Sequence, residues 1–326
     1  MTLPYLLRLL CLCFASFFVL NVAAGLFVRV WSKSAIRLAE SRTPIRAARL
    51  LLGLRLLPLA LAVLFVLGLC VPSYLWLEPT ASPERVGLRC AVLGGLGAAT
   101  WLISLGRTAR SLCRSLRHNR LCRLAGREAR LPGESSPVVV VENEAPLLAM
   151  SGLFRPRLLI SGSVLQNLSA EELQAALSHE HAHRTSRDNL KRLLLQLAPD
   201  ILPFLHALRT LERGWSQFAE WAADDQATAG DSGRAVSLAA ALVQVARMGS
   251  GPRLPFLSTS LLASDRDLSA RVERLLETLP VSPAPTQKAQ PALLAAGVLL
   301  VGSILALLPT PAALRVVHEL LELLLH

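Results

Sequence analysis

No Cys-x-x-Cys pair occurs among the six cysteines of this 326-residue chain, so neither a thiolate-ligated zinc site nor a disulfide framework is expected. Cys11, Cys13 and Cys70 fall inside apolar runs, Cys90 lies at the edge of one, and Cys113 and Cys122 flank a basic segment. All read as small apolar residues. Tyrosine is nearly absent. Tyr5 and Tyr74 are the only two, both beside N-terminal apolar runs, which excludes them as donors in a reaction centre further along the chain. Acids are scarce relative to bases, 23 against 34, leaving a net charge of +11. That balance could suit a nucleic-acid binder, but aromatics make up only 5% of residues and do not interleave with the arginines. The arginines crowd beside apolar runs instead. The expected partner is therefore the lipid bilayer, with no direct nucleic-acid partner. No internal repeat is present.

Apolar residues are abundant, at 52% of the chain, with a mean hydropathy of +0.46. Charge-free runs cover residues 9–28, 56–77, 90–106 and 291–308, which predicts about four transmembrane helices. The first is long and is followed by Arg29, Lys33, Arg37, Arg42, Arg46 and Arg49, so it reads as a retained span rather than a signal peptide. Basic residues dominate after the first and third runs, whereas the link between the second and third is short and not basic. The positive-inside rule then places the N-terminus outside and residues 107–290 in the cytoplasm. This is the topology of a multi-pass protein of a bacterial-type inner membrane, with residues 309–326 outside. Residues 190–208 are also apolar but contain Lys191, Arg192, Pro199, Asp200 and Pro203. They read as a broken, amphipathic pair of helices at the membrane surface.

Within the cytoplasmic part, Ser178-His179-Glu180-His181-Ala182-His183 fits H-E-x-x-H. On a helix, His179 and His183 share one face and can grip one zinc ion, with Glu180 placed to act on a water at the metal. His181 points away from both. Ser169 and Glu172 form a capping-box pattern that starts the helix. Glu220-Trp221-Ala222-Ala223-Asp224 offers a third ligand and a supporting carboxylate. Strands are expected at residues 137–141 and 157–160, and helices at 169–184, 215–229, 234–248 and 269–279. The expected organisation is a membrane domain (1–106), a basic juxtamembrane segment (107–136) and a zinc metallopeptidase domain (137–279). A Pro-rich linker (280–290), the fourth span (291–308) and a tail (309–326) follow. The fold class is a mainly α membrane protein with an inserted α+β, zincin-like cytoplasmic domain.

Several segments together resemble the membrane metallopeptidases of the BlaR/MecR antirepressor type. They are Gly152-Leu153-Phe154-Arg155-Pro156-Arg157, Leu168-Ser169-Ala170-Glu171-Glu172-Leu173, His179 to His183 with Asp188, Glu220 to Asp224, and Arg271-Val272-Glu273-Arg274-Leu275-Leu276. The zinc motif itself is shared with HtpX-like proteases. The resemblance implies a gluzincin-like domain with one Zn2+ held by His179, His183 and Glu220, and Glu180 as general base. It implies that Asp224 orients a ligand imidazole, with Asp188 in a supporting role. The sensory members carry a penicillin-binding domain after the fourth span, and no S-x-x-K motif occurs in residues 310–326. Direct β-lactam sensing is therefore not expected, and a separate sensor or repressor protein is the implied partner.

The expected activity is hydrolysis of peptide bonds in a cytoplasmic or membrane-proximal protein, with a transcriptional repressor implied by the resemblance alone. The alternatives are membrane-protein quality control of the HtpX type and a non-catalytic, zinc-stabilised signalling scaffold. Arg271 and Arg274 are candidate oxyanion or substrate contacts. Gly152, Leu153 and Phe154, ending an extended stretch from Ala149, are a candidate edge for a substrate strand.

Overall fold

The computed structural model describes residues 4–78, 86–130, 138–142, 146–153, 156–199, 206–249, 258–260, 268–277 and 310–325. The fourth apolar run and the Pro-rich segment before it lie outside these residues. The N-terminal part is built from α1(Tyr5–Glu40), α2(Pro44–Phe65), a π turn at Val66–Cys70, α3(Val71–Leu77) and α4(Leu88–Ala125). The segment from α2 to α3 is one rod. Pro72 cannot donate a backbone hydrogen bond and its ring crowds the preceding turn, and the widened π turn accommodates it, with the Val71 N–H reaching back to the Val66 carbonyl. Among the described residues three helices, Tyr5–Glu40, Pro44–Leu77 and Leu88–Ala125, are long and apolar enough to cross a membrane. The basic segment after the third apolar run continues the third apolar helix, α4, through Arg107, Arg114 and Arg123.

The remaining elements are β1(Gly126–Ala129), β2(Val138–Val141), β3(Leu148–Ser151), β4(Arg157–Ser161), α5(Gly162–Asn167), α6(Ala170–Ser186), α7(Asp188–Leu197), α8(His206–Thr228), α9(Ser232–Arg247), β5(Ser258–Ser260), α10(Leu268–Glu277) and α11(Pro311–Leu325). The sheet order is β1-β2-β4-β3-β5. Only β2 and β4 run parallel, with Val140 opposite Ile160; the other pairs are antiparallel.

Both faces of this sheet are covered, as its apolar inner strands β2, β3 and β4 require. Val138, Val140, Leu148, Met150, Leu158 and Ile160 pack with Ala176 of α6 and Leu238, Leu242 and Val245 of α9. The alternate residues Val139, Ala149 and Leu159 pack with Cys122, near the end of α4. The third apolar helix thus delivers the chain directly into the sheet.

The two ends of the helix bundle hold different neighbours. At one end Leu12, Leu69, Tyr74 and Cys90 enclose Leu314, Val317 and Leu321 of α11, and Ser73 Oγ donates to the Leu314 carbonyl at 2.9 Å. At the other, Val28, Ala39, Ala47 and Leu51 pack on Leu208, Leu211, Trp215, Phe218 and Ala219 of α8. The apolar face in residues 190–208 is thereby satisfied partly by α1 and α2, with α7 and α8 as separate helices.

Candidate metal centre

Helix α6 begins where its sequence requires. Ser169 Oγ accepts from the Glu172 N–H and Glu172 Oε2 accepts from the Ser169 N–H, two otherwise unpaired donors satisfied at once. It ends at Arg187, which is left-handed (φ 55°). This sharp stop returns Asp188, the first residue of α7, to the face that carries His183. Helix α8 brings Glu220 and Asp224 one turn apart opposite α6, and α10 contributes Arg271.

All seven groups are buried. His179, Glu180 and Asp224 have no exposed surface, and His183, Asp188, Glu220 and Arg271 are at most 5% exposed. His179 Nε2 and His183 Nε2 lie 3.1 Å apart, and each is 3.5 Å from Glu220 Oε2. Three donor atoms on one ion at zinc-ligand distances of about 2.0–2.2 Å, tetrahedrally disposed, stand roughly 3.3–3.5 Å apart. The triangle therefore fits a single zinc-sized cation. Neither Glu220 oxygen has a hydrogen-bond partner within the protein, which is costly for a buried carboxylate unless a cation completes it.

The far side of each imidazole is backed by a carboxylate. His183 Nδ1 bonds to Asp188 Oδ2 at 2.7 Å, and Lys191 Nζ holds the other Asp188 oxygen, also at 2.7 Å. His179 Nδ1 lies 2.9 Å from Asp224 Oδ1, off the ideal hydrogen-bond direction. Asp224 is in turn gripped by Arg271 through Nε to Oδ2 (2.9 Å) and Nη2 to Oδ1 (2.6 Å). Arg271 Nη1 also stands 3.4 Å from Glu220 Oε2. Such backing fixes the ring orientations and raises ligand basicity.

The charges respond accordingly. Burial opposes protonation of His183, but Glu220 and Asp188 outweigh it and push the imidazole up to about 10. His179 is raised by Asp224 and Glu220 against the same burial. Glu220 is held well below the usual carboxylate range despite burial, because both histidines and Arg271 face it. Glu180 moves the other way. Burial raises it to about 7, against the pull of the two histidines. Its Oε2 accepts from the Met150 N–H of β3 at 3.0 Å, while its Oε1 has no hydrogen-bond partner.

The other candidate residues are placed as follows. Arg271, a candidate oxyanion or substrate contact, is locked between Asp224 and Glu220. Arg274 points elsewhere, pairing with Asp225 at 2.5 Å and lying over the Trp221 ring. The strand edge expected for a substrate is already paired from Ala149 to Ser151, where β5 lies antiparallel to β3. Beyond it the Gly152 carbonyl accepts from Asn189 Nδ2. Gly152 adopts φ 117°, a conformation other residues rarely take. Leu153 follows at the turn and Phe154 lies outside the described residues. Two contributors went unrecognised in the sequence. Asn189 ties the Met150 and Gly152 carbonyls, and Arg192 approaches Glu220 Oε1 at 3.7 Å. Neither carries a motif of its own.

A buried triangle of two imidazoles and a carboxylate, with a second carboxylate held by the sheet and a helix bundle of membrane-span character beneath, defines a membrane-associated metallopeptidase class. The chain belongs to peptidase family M48, whose family model matches residues 114–278. M48 peptidases are zinc metallopeptidases. No curated protein matches the chain.

Proposed function

We propose that this chain is a membrane-embedded zinc endopeptidase in which His179, His183 and Glu220 hold one ion per chain and Glu180 is the general base. The convergence of three buried donor atoms at 3.1–3.5 Å is the observation that carries the reading. When bound, the ion in such a three-ligand cradle supplies Lewis acidity and a water made acidic near neutral pH. Glu180 Oε1 is free to take a proton from that water, and the Met150 N–H holds the other oxygen still. A carboxyl whose protonated form burial favours can both accept that proton and return it to the leaving amine. Asp188 and Asp224 keep the imidazoles aimed, and Arg271 offsets the charge of the Asp224–Glu220 pair.

The substrate class is a protein segment at or near the cytoplasmic membrane face, because the helix that carries Glu220 is seated on α1 and α2. Cleavage of one repressor would match the antirepressor resemblance, and broad cleavage of unfolded membrane proteins would match the quality-control alternative; family membership accommodates both. Intact Glu180 argues against a purely structural zinc site, which has no use for a base.

The test uses full-length protein in detergent as wild type, Glu180→Gln and Glu220→Ala, with zinc per chain and cleavage of an unfolded protein as readouts. We expect one zinc in wild type and Glu180→Gln, much less in Glu220→Ala, and cleavage reduced by about 10²–10⁴-fold in Glu180→Gln. Equal cleavage by wild type and Glu180→Gln would remove the base from its role. Absence of zinc from every form under metal-replete conditions would end the reading.

A further inference from the structure

We propose that Arg192 is a positioning residue for the metal centre: it holds Glu220 Oε1 so that the carboxylate presents a single oxygen, Oε2, beside the two imidazoles. The inference rests on the zinc-site reading above. The two oxygens of Glu220 face different cations. Oε2 stands 3.5 Å from both histidine Nε2 atoms and 3.4 Å from Arg271 Nη1. Oε1 is turned to Arg192 Nη2 at 3.7 Å. The Arg192 side chain is 12% exposed, and among the described residues Glu220 is the only carboxylate recorded within ion-pair distance of it. A nearly buried guanidinium needs such a partner.

The chemistry gives this arrangement a consequence. A carboxylate left unrestrained can offer both oxygens to a cation and fill a coordination position, whereas hydrolysis needs that position open. A guanidinium on Oε1 opposes the second contact by charge and by geometry. Arginine suits this better than lysine, since its planar fork is preorganised.

Arg192 is also placed where the membrane helices meet the site. Its guanidinium lies 6.0 Å from the centre of the Trp215 ring, and Trp215 is buried with Leu51 of α2. The helix that carries Arg192 is tied at its C-terminal end to the third span helix, where Ser104 Oγ donates to the Leu197 carbonyl at 2.6 Å. Free carbonyls at a helix end need such donors. A displacement of α4 or α2 would therefore be felt at Glu220 Oε1 through one side chain.

The experiment replaces zinc by cobalt(II) in full-length wild type, Arg192→Gln and Arg192→Lys, and reads cobalt content, visible d–d absorption and cleavage. Arg192→Gln is expected to bind one cobalt per chain with weaker, shifted bands, since a second carboxylate oxygen raises the coordination number. Its kcat should fall about tenfold with KM little changed. Arg192→Lys should shift the bands in the same direction by less. Bands identical in Arg192→Gln and wild type would overturn the inference even if activity fell, because a role in packing alone would leave the metal's surroundings unchanged. If Arg192→Gln cannot be purified, Arg192→Lys decides on the same bands, and unaltered bands there count against the proposal. Failure of wild type to bind either metal would instead sink the underlying zinc reading.

Discussion

The metal centre and the opposite end of the span helices both bury charge between helices, but they do so differently. At the far end, Arg8 of α1 meets Glu78 at 3.6 Å and His318 of α11 approaches the other Glu78 oxygen at 3.9 Å. His318 also reaches the half-exposed Glu322 at 3.3 Å. These contacts run from one group to the next and reach a half-exposed side chain. At the metal centre, three donor atoms from α6 and α8 turn to one point, and each imidazole is backed by a carboxylate that is itself held by a cation. Burying an ion requires only a partner. A reaction centre requires convergence, a rigid support and a polar atom left without a hydrogen bond, as at Glu180 Oε1.

Removing one backing carboxylate should break this contrast most sharply. Asp224→Asn is expected to weaken zinc binding by about 100-fold, because it loosens His179 and also leaves Arg271 buried beside the ligands. Asp188→Asn should cost about tenfold, since its cationic partner Lys191 is a partly exposed side chain that can turn to water. Glu78→Gln should leave zinc affinity unchanged. Competition against a chelator in detergent measures all three, and a Glu78→Gln effect as large as that of Asp224→Asn would dissolve the distinction between the two clusters.

A second comparison concerns stability. Arg8→Met together with Glu78→Leu should leave the thermal midpoint unchanged or higher, because a buried ion pair is often matched by apolar residues of similar volume. The doubly substituted protein should retain its zinc. A large drop in the midpoint would show that the outer cluster supports the fold through more than these ion pairs.

The sequence exposed one half of the metal centre far better than the other. His179, Glu180 and His183 are set by helix periodicity, the helix start by a capping box, and Glu220 and Asp224 read as a helical pair of acids that could serve them. Asp188 became legible only through the resemblance. Arg271 was noticed as a charged residue in the right helix, but its partnership with Asp224, 47 residues away, follows from packing that no local pattern encodes. The same holds for Arg192, which in sequence only disqualified a membrane span. Short polar strands were the other blind spot. Gly126–Ala129 and Ser258–Ser260 lack alternating apolar residues, and their pairing is decided by neighbours rather than by propensity. That is why β5 covers an edge expected to be open.

The smallest effects concern the bundle that carries both clusters. A side-chain carbon at Gly97 would lie 2.2 Å from the Phe14 carbonyl oxygen, whereas at Gly95 it would meet nothing within 4 Å. Helices α1 and α4 can approach this closely only because glycine stands at the crossing, the pattern of small residues seen at tight membrane-helix contacts. Gly97→Ala should therefore destabilise by about 1–3 kcal/mol and lower the midpoint in detergent, while Gly95→Ala stays within about 0.5 kcal/mol. Equal midpoints for the two variants would mean that the α1–α4 crossing is not tight. The crossing at Phe14 lies within the stretch of α1, Leu12 to Ala15, that belongs to the α11 cluster, well before Val28, where α1 joins the α8 cluster, so zinc content in Gly97→Ala measures how far the metal centre depends on the helix bundle. We expect the zinc to be retained, because its ligands are held by one another's partners rather than by the crossing itself.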